Sequence, residues 1–319
     1  MSNAPIGDPA GDPSPRPRGQ TTPRGPYSGV VVVMGTMHGK QDQVAPVFAE
    51  VLGARVLAPA GIDTDRFGTF TGETARTLTP VAAVTAKARL AMAMTGSPYG
   101  MASEASYGMR YGVLPVHEEV LNFIDDTRGI EIVEGLNTPG APGVPRLVGA
   151  VSHATPGVPG SPRLITGTAA ALEAAREFGF PAQGAVVTTM AAGRLHVSGK
   201  GLDDVEDLIR AVQGGLKLSD TGQVCVEPDL RAHLNPSRRQ ALTCLAERLA
   251  RRLATPCPAC QAPGYGKTAV LTGLLCRACG LPTDLVAADV HRCAACGHQH
   301  HVPRPQRRAE PQWCDYCNP

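Results

Sequence analysis

The chain opens its ordered pattern with an uninterrupted apolar run, Val30–Met34, that stops at Gly35. Such a run bounded by glycine reads as a buried strand, here over 29–36. Val44, Val47, Phe48, Val51 and Leu52 then recur on one helical face, with Asp42 as candidate N-cap and Gly53 as the stop. Pro46 is placed in the first turn of that helix, where its missing N–H costs little. "ARVLAP" predicts a second strand, and the polar loop "GIDTDRFGTFTGE" follows it. Thr79 and Pro80 form a cap and first position for the helix "VAAVTAKARLAMAM", which Gly96 ends. "YGMASEASYG" predicts a third strand with a polar end, and "VLNFIDD" with "IEIVEG" predicts a hairpin turning near Gly129.

Residues 137–163 show no periodicity and read as a Pro/Gly-rich connector. Beyond them come a helix over about 168–178, a strand at "GAVVTTM" and a weaker one at "LHVSG". A further helix starts at "LDDVEDLIRAV", where Asp203 and Glu206 have capping-box spacing. "GQVCVE" is a short strand. The next helix is capped by Asn235, starts at Pro236 and carries the stripe Leu242, Leu245, Leu249, Leu253. Strand and helix alternate through about 253, which predicts the α/β class with a mixed, largely parallel sheet and flanking helices.

Composition adjusts this picture at the ends. The 319 residues suffice for a sizeable core plus a second module. Pro (29) and Gly (36) are abundant, and much of the excess lies in 1–28, read as a disordered arm ahead of an α/β domain over 29–254. Net charge is only +2, so no global field recruits nucleic acid or a membrane. No apolar run approaches the roughly 20 residues of a membrane span, and the N-terminus has no signal-peptide core. A cytoplasmic, reducing setting is expected, where paired cysteines serve as metal ligands rather than disulfides.

Eight of the ten cysteines form four Cys-x-x-Cys knuckles: Cys257/Cys260, Cys276/Cys279, Cys293/Cys296 and Cys314/Cys317, separated by 15, 13 and 17 residues. Two knuckles complete the tetrahedral thiolate shell of one zinc ion, so residues 255–319 read as a small C-terminal module of two zinc ribbons, each with four cysteine ligands and one zinc ion. All-cysteine ligation leaves no open coordination position, which makes these sites structural. Sequential pairing of neighbouring knuckles is the favoured arrangement, with crossed pairing, first knuckle to third, as the alternative. His298, His300 and His301 read as solvated, Cys225 and Cys244 as small buried hydrophobes, and "RPQRR" (304–308) as a solvated basic loop.

The α/β region offers other chemistry. Thr36, His38 and Lys40 sit at a strand-to-helix junction, where backbone N–H groups and the helix dipole favour an anion. Glu104, in "SEAS", ends the third strand near that loop and is a candidate Mg²⁺ ligand or water-orienting group. Asp63, Asp65 and Arg66 lie in a polar loop able to close over a ligand. Lys87 and Arg89 are cations on an alanine-rich helix. Asp229, Arg231, His233, Asn235 and Arg238 crowd a strand-to-helix junction, and His117, Glu118 and Glu119 precede the hairpin.

Two resemblances rest on these residues. Over 30–319, "GTMHGK", "GIDTDRFGTFTGE", "ASEASYG", "EPDLRAHLNP", "CPAC…PGYG" and "CDYCNP" resemble a bacterial family known only as a domain of unknown function. Over 30–106, the order of elements and "KARLAMAMTGSPYGMASE" are similar to the inosine/xanthosine triphosphate pyrophosphatase superfamily. That second resemblance implies an Mg²⁺-dependent hydrolase of nucleoside triphosphates. It makes Lys40 and Glu104 catalytic and assigns phosphate contacts to Thr36, Lys40 and Lys87. His38 stands where that superfamily has Asn, and Lys40 falls one residue early. The competing function class is a binding module, with the ribbons gripping nucleic acid or a protein partner.

Overall fold

The computed structural model describes residues 25–69, 74–110, 114–139 and 163–319. Its helices are α1 (Gln41–Leu52), α2 (Pro80–Thr95), α3 (Thr168–Glu177), α4 (Val205–Leu218) and α5 (Pro236–Ala254). Strands β1 (Val31–Met34), β2 (Arg55–Leu57), β3 (Tyr99–Arg110), β4 (Leu114–Asp125) and β5 (Ile130–Pro139) form a sheet in the order β2-β1-β3-β4-β5. β1 is parallel to β2 and β3, while β3, β4 and β5 run antiparallel in turn. The α/β class with a mixed sheet is therefore the observed one.

Helices cover both faces of this sheet. On one face Val44 and Phe48 of α1 and Leu242, Leu245, Leu249 and Leu253 of α5 pack with Met101, Leu121 and Phe123. On the other, Val84, Ala88 and Met92 of α2 pack with Ala102, Val120 and Ile124. Local signals set the ends of these helices. The Thr79 hydroxyl accepts from Ala82 N at 3.2 Å, and Asn235 Oδ1 accepts from Arg238 N at 3.0 Å. Two caps differ from expectation. Gly39 turns the chain with φ 64°, so α1 starts at Gln41 with Lys40 in the cap position. Asp42 then falls in the first turn, and Pro46 lies inside the helix rather than in that turn. For α4 the cap is Asp204, not Asp203: its Oδ1 accepts from Glu206 N and Asp207 N.

The later strands do not extend the first sheet. β6 (Arg163–Ile165), β7 (Ala185–Ala191), β8 (Arg194–Leu202) and β9 (Val224–Pro228) form a second sheet in the order β6-β9-β7-β8, antiparallel throughout. The two residues between β7 and β8, Ala192 and Gly193, both have positive φ, as a tight hairpin turn demands. That turn forces antiparallel pairing where strand-helix alternation predicted a parallel addition. α3 and α4 close this sheet over a separate core that includes Ala175, Val187, Leu208, Val212 and Val224.

A third sheet, β10 (Gly266–Thr272), β11 (Val286–Arg292) and β12 (Gln299–Pro303), is antiparallel in chain order and carries the cysteines at its ends. It abuts the first unit: Arg252 donates to Gly264 O at 3.1 Å and to Glu134 at 2.9 Å. A Cβ on Gly264 would collide with Ile132. Tyr27, within the expected N-terminal arm, is wholly buried and donates to Asp125 Oδ2 at 3.1 Å. Residues 1–24 of that arm and 140–162 of the connector lie outside the described residues. Among the described residues no helix is long and apolar enough to cross a membrane.

Candidate functional site

β1 is short and β3 is long, and the difference in length builds a crevice. The two pair only at Val33↔Gly100 and Met34↔Met101, after which β3 continues to Arg110 paired with β4 alone among the described residues. Side chains cover the exposed edge instead. Lys40 Nζ donates to Ser103 O at 3.0 Å and Arg76 Nη2 donates to Ala105 O at 2.6 Å. The chain leaves β1 through α1 on one face toward β2, and reaches β3 through α2 on the other face. The carboxyl ends of β1 and β3 therefore flank a topological switch point, where open α/β sheets bind ligands. Gly35 brings the loop against α2, since a Cβ there would collide with the Lys87 carbonyl.

Charge gathers in this crevice. Glu104 is buried, and its carboxylate is clasped by Lys87 through Oε2 and by Arg76 through Oε1 at 2.6 Å. Burial alone would raise its pKa, but Lys40, Lys87 and Arg76 hold it below the ordinary carboxylate value. Burial, reinforced by Arg238, pulls the Lys40 ammonium down to about 8 against the attraction of Glu119 and Glu104. Among the described residues Lys40, Lys87, Arg76 and Arg238 thus gather around two carboxylates, Glu104 and Glu119. Thr36 is buried beside them and its Oγ1 accepts from His38 N at 3.2 Å.

The opposite face of the same strands holds a polar network. Arg238 grips Glu119 with two bonds, at 2.8 and 2.9 Å, and donates to Leu230 O at 2.6 Å. His117 Nε2 lies 3.1 Å from Glu119 Oε2, and its ring stacks on Tyr107. Burial opposes ionisation of Glu119, yet Arg238 and the His117 hydrogen bond draw its pKa down to about 2. Sequence reasoning reaches Arg238 and Glu119 only as members of polar groups. Their signal is positional: Arg238 occupies the same helical stripe as Leu242 and Leu245, and Glu119 shares a strand face with Leu121 and Phe123.

Loops from three parts of the chain meet at His38. Its ring stacks on His233 with centroids 4.9 Å apart, and its Nε2 lies 3.7 Å from Asp65 Oδ1. Arg231 holds Asp229 with Nη2 at 2.7 Å from Oδ2. Thr36, His38, Lys40, Asp65, Lys87, Glu104, Arg231 and His233 are thus brought to one region. Arg66 is turned onto the ring of Phe67, 5.4 Å from its centroid, and Arg89 pairs with Asp126 across α2 and the hairpin turn. Arg76, which completes the clasp on Glu104, escapes sequence reasoning because the loop that carries it has no periodic pattern. Phe70 to Glu73 of that loop lie outside the described residues.

Both cysteine tetrads are assembled, each with its four sulfurs within 4.8 Å of one another, and each could bind a metal ion. One joins Cys257 and Cys260 to Cys293 and Cys296; the other joins Cys276 and Cys279 to Cys314 and Cys317. The pairing is crossed, which corrects the sequential arrangement. The cause is the third sheet: one strand separates consecutive knuckles, so neighbours fall at opposite ends and alternates at the same end. Backbone N–H groups of Cys279 and Ala278 draw the Cys276 thiol down to about 7, while the sulfur of Cys279 pushes Cys317 up to about 12. Four such thiols cannot all ionise until a cation sits among them. Cys244, expected to be buried, is exposed on α5, and Cys225 is partly buried in β9. Among the described residues the clusters of three or more ligand groups are these two tetrads. Glu104 has both oxygens on cations, so the expected Mg²⁺ site is not assembled around it.

Residues 164–319 match a family described as a domain of unknown function (DUF6671), which is consistent with the resemblance to an uncharacterised family. The match starts in β6 and covers less of the chain than the 30–319 expected. No curated protein matches the chain. Neither comparison extends to the pyrophosphatase resemblance over 30–106.

Proposed function

We propose that the crevice between the ends of β1 and β3 binds the phosphate of a small phosphorylated molecule, a nucleotide being the class it suits, and that the two tetrads hold structural zinc. The observation that carries the first half is the clasp of Lys87 and Arg76 on the carboxylate of Glu104 at the switch point, with Lys40 held beside it on the Ser103 carbonyl. Glu104 holds Lys87 and Arg76 in place, and the cluster of cations beside the start of α1 suits an anion. Charge-assisted hydrogen bonds of this kind contribute roughly 1.5–3 kcal/mol each. The crevice reading is one of binding: among the described residues Glu104 belongs to no cluster of three or more metal-ligating groups.

For zinc, the support is dimensional. Four sulfurs about 2.3 Å from a tetrahedral ion lie roughly 3.8 Å apart. The closest sulfur pairs between knuckles here are separated by 3.8, 3.7, 3.9 and 3.6 Å. A nucleic-acid role for the module has less support. Lys267 and Arg304 are both spent on Asp289, Arg277 on Glu310, and each four-thiolate centre adds negative charge.

Calorimetric titration of the zinc-loaded chain with inorganic pyrophosphate, a nucleoside monophosphate and the matching nucleoside tests the crevice. The phosphorylated probes should bind and the bare nucleoside should not. Lys87→Met should weaken binding at least tenfold. Equal binding of the nucleoside, or an unaffected Lys87→Met, would sink the reading. Native mass spectrometry should count two zinc ions per chain.

A further inference from the structure

His38 is the one ring in the anion loop, two residues from both Thr36 and Lys40, and it does not stand alone. His233, from the turn ahead of α5, lies flat against it, with 26° between the ring planes. Two stacked imidazoles repel if both are charged, and the groups around them sharpen the point. Facing His38 are Lys40 from its own loop, Arg231 from the 229–235 loop and Asp65 from the turn at 65–67. Facing His233 are Arg231, Arg238 and Arg239, with Asp229 as the nearby carboxylate. Asp229 is already committed: Arg231 Nε and Nη2 both donate to it, at 3.0 and 2.7 Å. Arg239 further donates to the carbonyl of His233 itself at 2.6 Å. Among the described residues the cations facing the pair outnumber the carboxylates, Asp65 and Asp229, that face it.

We propose that His38 and His233 form the proton-accepting half of this anion site, so that binding of a dianion beside Lys40 is accompanied by uptake of a proton on the imidazole pair. The inference rests on the crevice being an anion site and specifies its ligand: a fully charged phosphate monoester or a similar dianion, in preference to a monoanion. A dianion reverses the sign of the local field that now disfavours charge on the rings. Burial, followed by His233, draws the His38 pKa down to about 4, and burial with Arg231 lowers that of His233. His38 thus starts unprotonated and gains a proton when the ligand arrives. Lys40, which loses its proton near 8, and Glu119, near 2, titrate outside the range of the histidine pair.

Sulfate is the suitable probe because it remains a dianion at every pH of interest. One linked proton makes affinity rise about tenfold for each unit of falling pH. Titration of the full zinc-loaded chain between pH 6.5 and 5.0 should show that rise. The heat should vary with the ionisation enthalpy of the buffer in proportion to about one proton taken up. The doubly substituted chain His38→Gln, His233→Gln retains polar side chains of similar size and should bind sulfate with a flat pH profile. Wild-type binding without proton uptake, or a slope that survives in the double variant, overturns this inference and leaves the crevice reading standing. If sulfate does not bind at any pH while pyrophosphate does, the imidazole pair is not part of the site. If neither binds, both readings fall.

Discussion

Lys40 is the residue at which stability and binding pull apart. Its ammonium is desolvated and shares its surroundings with Arg238 and Lys87, so its folded pKa of about 8 lies below the ordinary 10.5. Between those values the unfolded chain binds more protons than the folded one, and stability rises with pH across that window. Below pH 8 the penalty is present in full. Lys40→Met should therefore stabilise the ligand-free protein at pH 7 by about 1–2 kcal/mol, at roughly 2–4 °C per kcal/mol, and abolish sulfate binding. Thermal melts at pH 7 and pH 10 check the sign: the gain should shrink at the higher pH, where the wild-type lysine is already neutral. A variant less stable at pH 7 would mean that the bond from Lys40 to Ser103 O outweighs the desolvation. Half of this site was legible in the sequence. Thr36, Lys40 and Glu104 follow from a strand-loop-helix junction and a polar strand end. Arg231 and His233 stand out as candidates within their own loop while Arg76 does not, and no local pattern tells which loops meet. Arg238 and Glu119 announce themselves only as charges on apolar faces, which requires knowing first what those faces cover.

At the scale of elements, the knuckle pairing shows why spacing underdetermines topology. Every interval between consecutive knuckles accommodates one metal loop, so the sequence was compatible with either arrangement. The three intervening strands, which sequence reading left unassigned, decide it. Their exposed faces lack the alternation that marks a half-buried strand: β12 is exposed throughout, and β10 almost so. Metal ligation by the two tetrads would substitute for a hydrophobic face there. The arrangement makes a discriminating prediction. The double variant Cys257→Ser, Cys293→Ser removes two ligands from one tetrad and should retain one zinc ion by native mass spectrometry. Cys257→Ser, Cys276→Ser takes one ligand from each tetrad and should weaken both sites. Under sequential pairing the outcomes would be exchanged. Chelation should disorder β10–β12, because metal binding and ordering are coupled in so small a module. The same limits explain the second sheet. The strands were recognised individually, but the tight turn at Ala192–Gly193 that makes them antiparallel was not read as a hairpin.

At the scale of the molecule, the family boundary and the packing boundary do not coincide. The DUF6671 match begins at residue 164, yet α5, which lies within it, contributes its leucine stripe to the core of the first sheet. Leu242, Leu245, Leu249 and Leu253 are each fully buried there, against Val44, Phe48, Met101 and Phe123 among others. Exposing four such side chains costs roughly 1.5–3 kcal/mol apiece, comparable in sum to the whole stability of an ordinary domain. Arg238 would at the same time lose Glu119, its partner in a buried ion pair. A fragment of residues 164–319 should therefore bind two metal ions, since both tetrads are complete within it, but should aggregate or melt without cooperativity. Co-expression with residues 25–139 should restore a cooperative melt, measured by circular dichroism at 222 nm. A soluble, monomeric fragment that unfolds as sharply as the full chain would contradict this. The consequence reaches the site. Arg231, His233 and Arg238 lie within the family match, whereas Lys40, Lys87 and Glu104 lie outside it. An anion site that needs both halves is absent from the fragment even where the fragment folds, so sulfate binding should appear only when the two halves are combined.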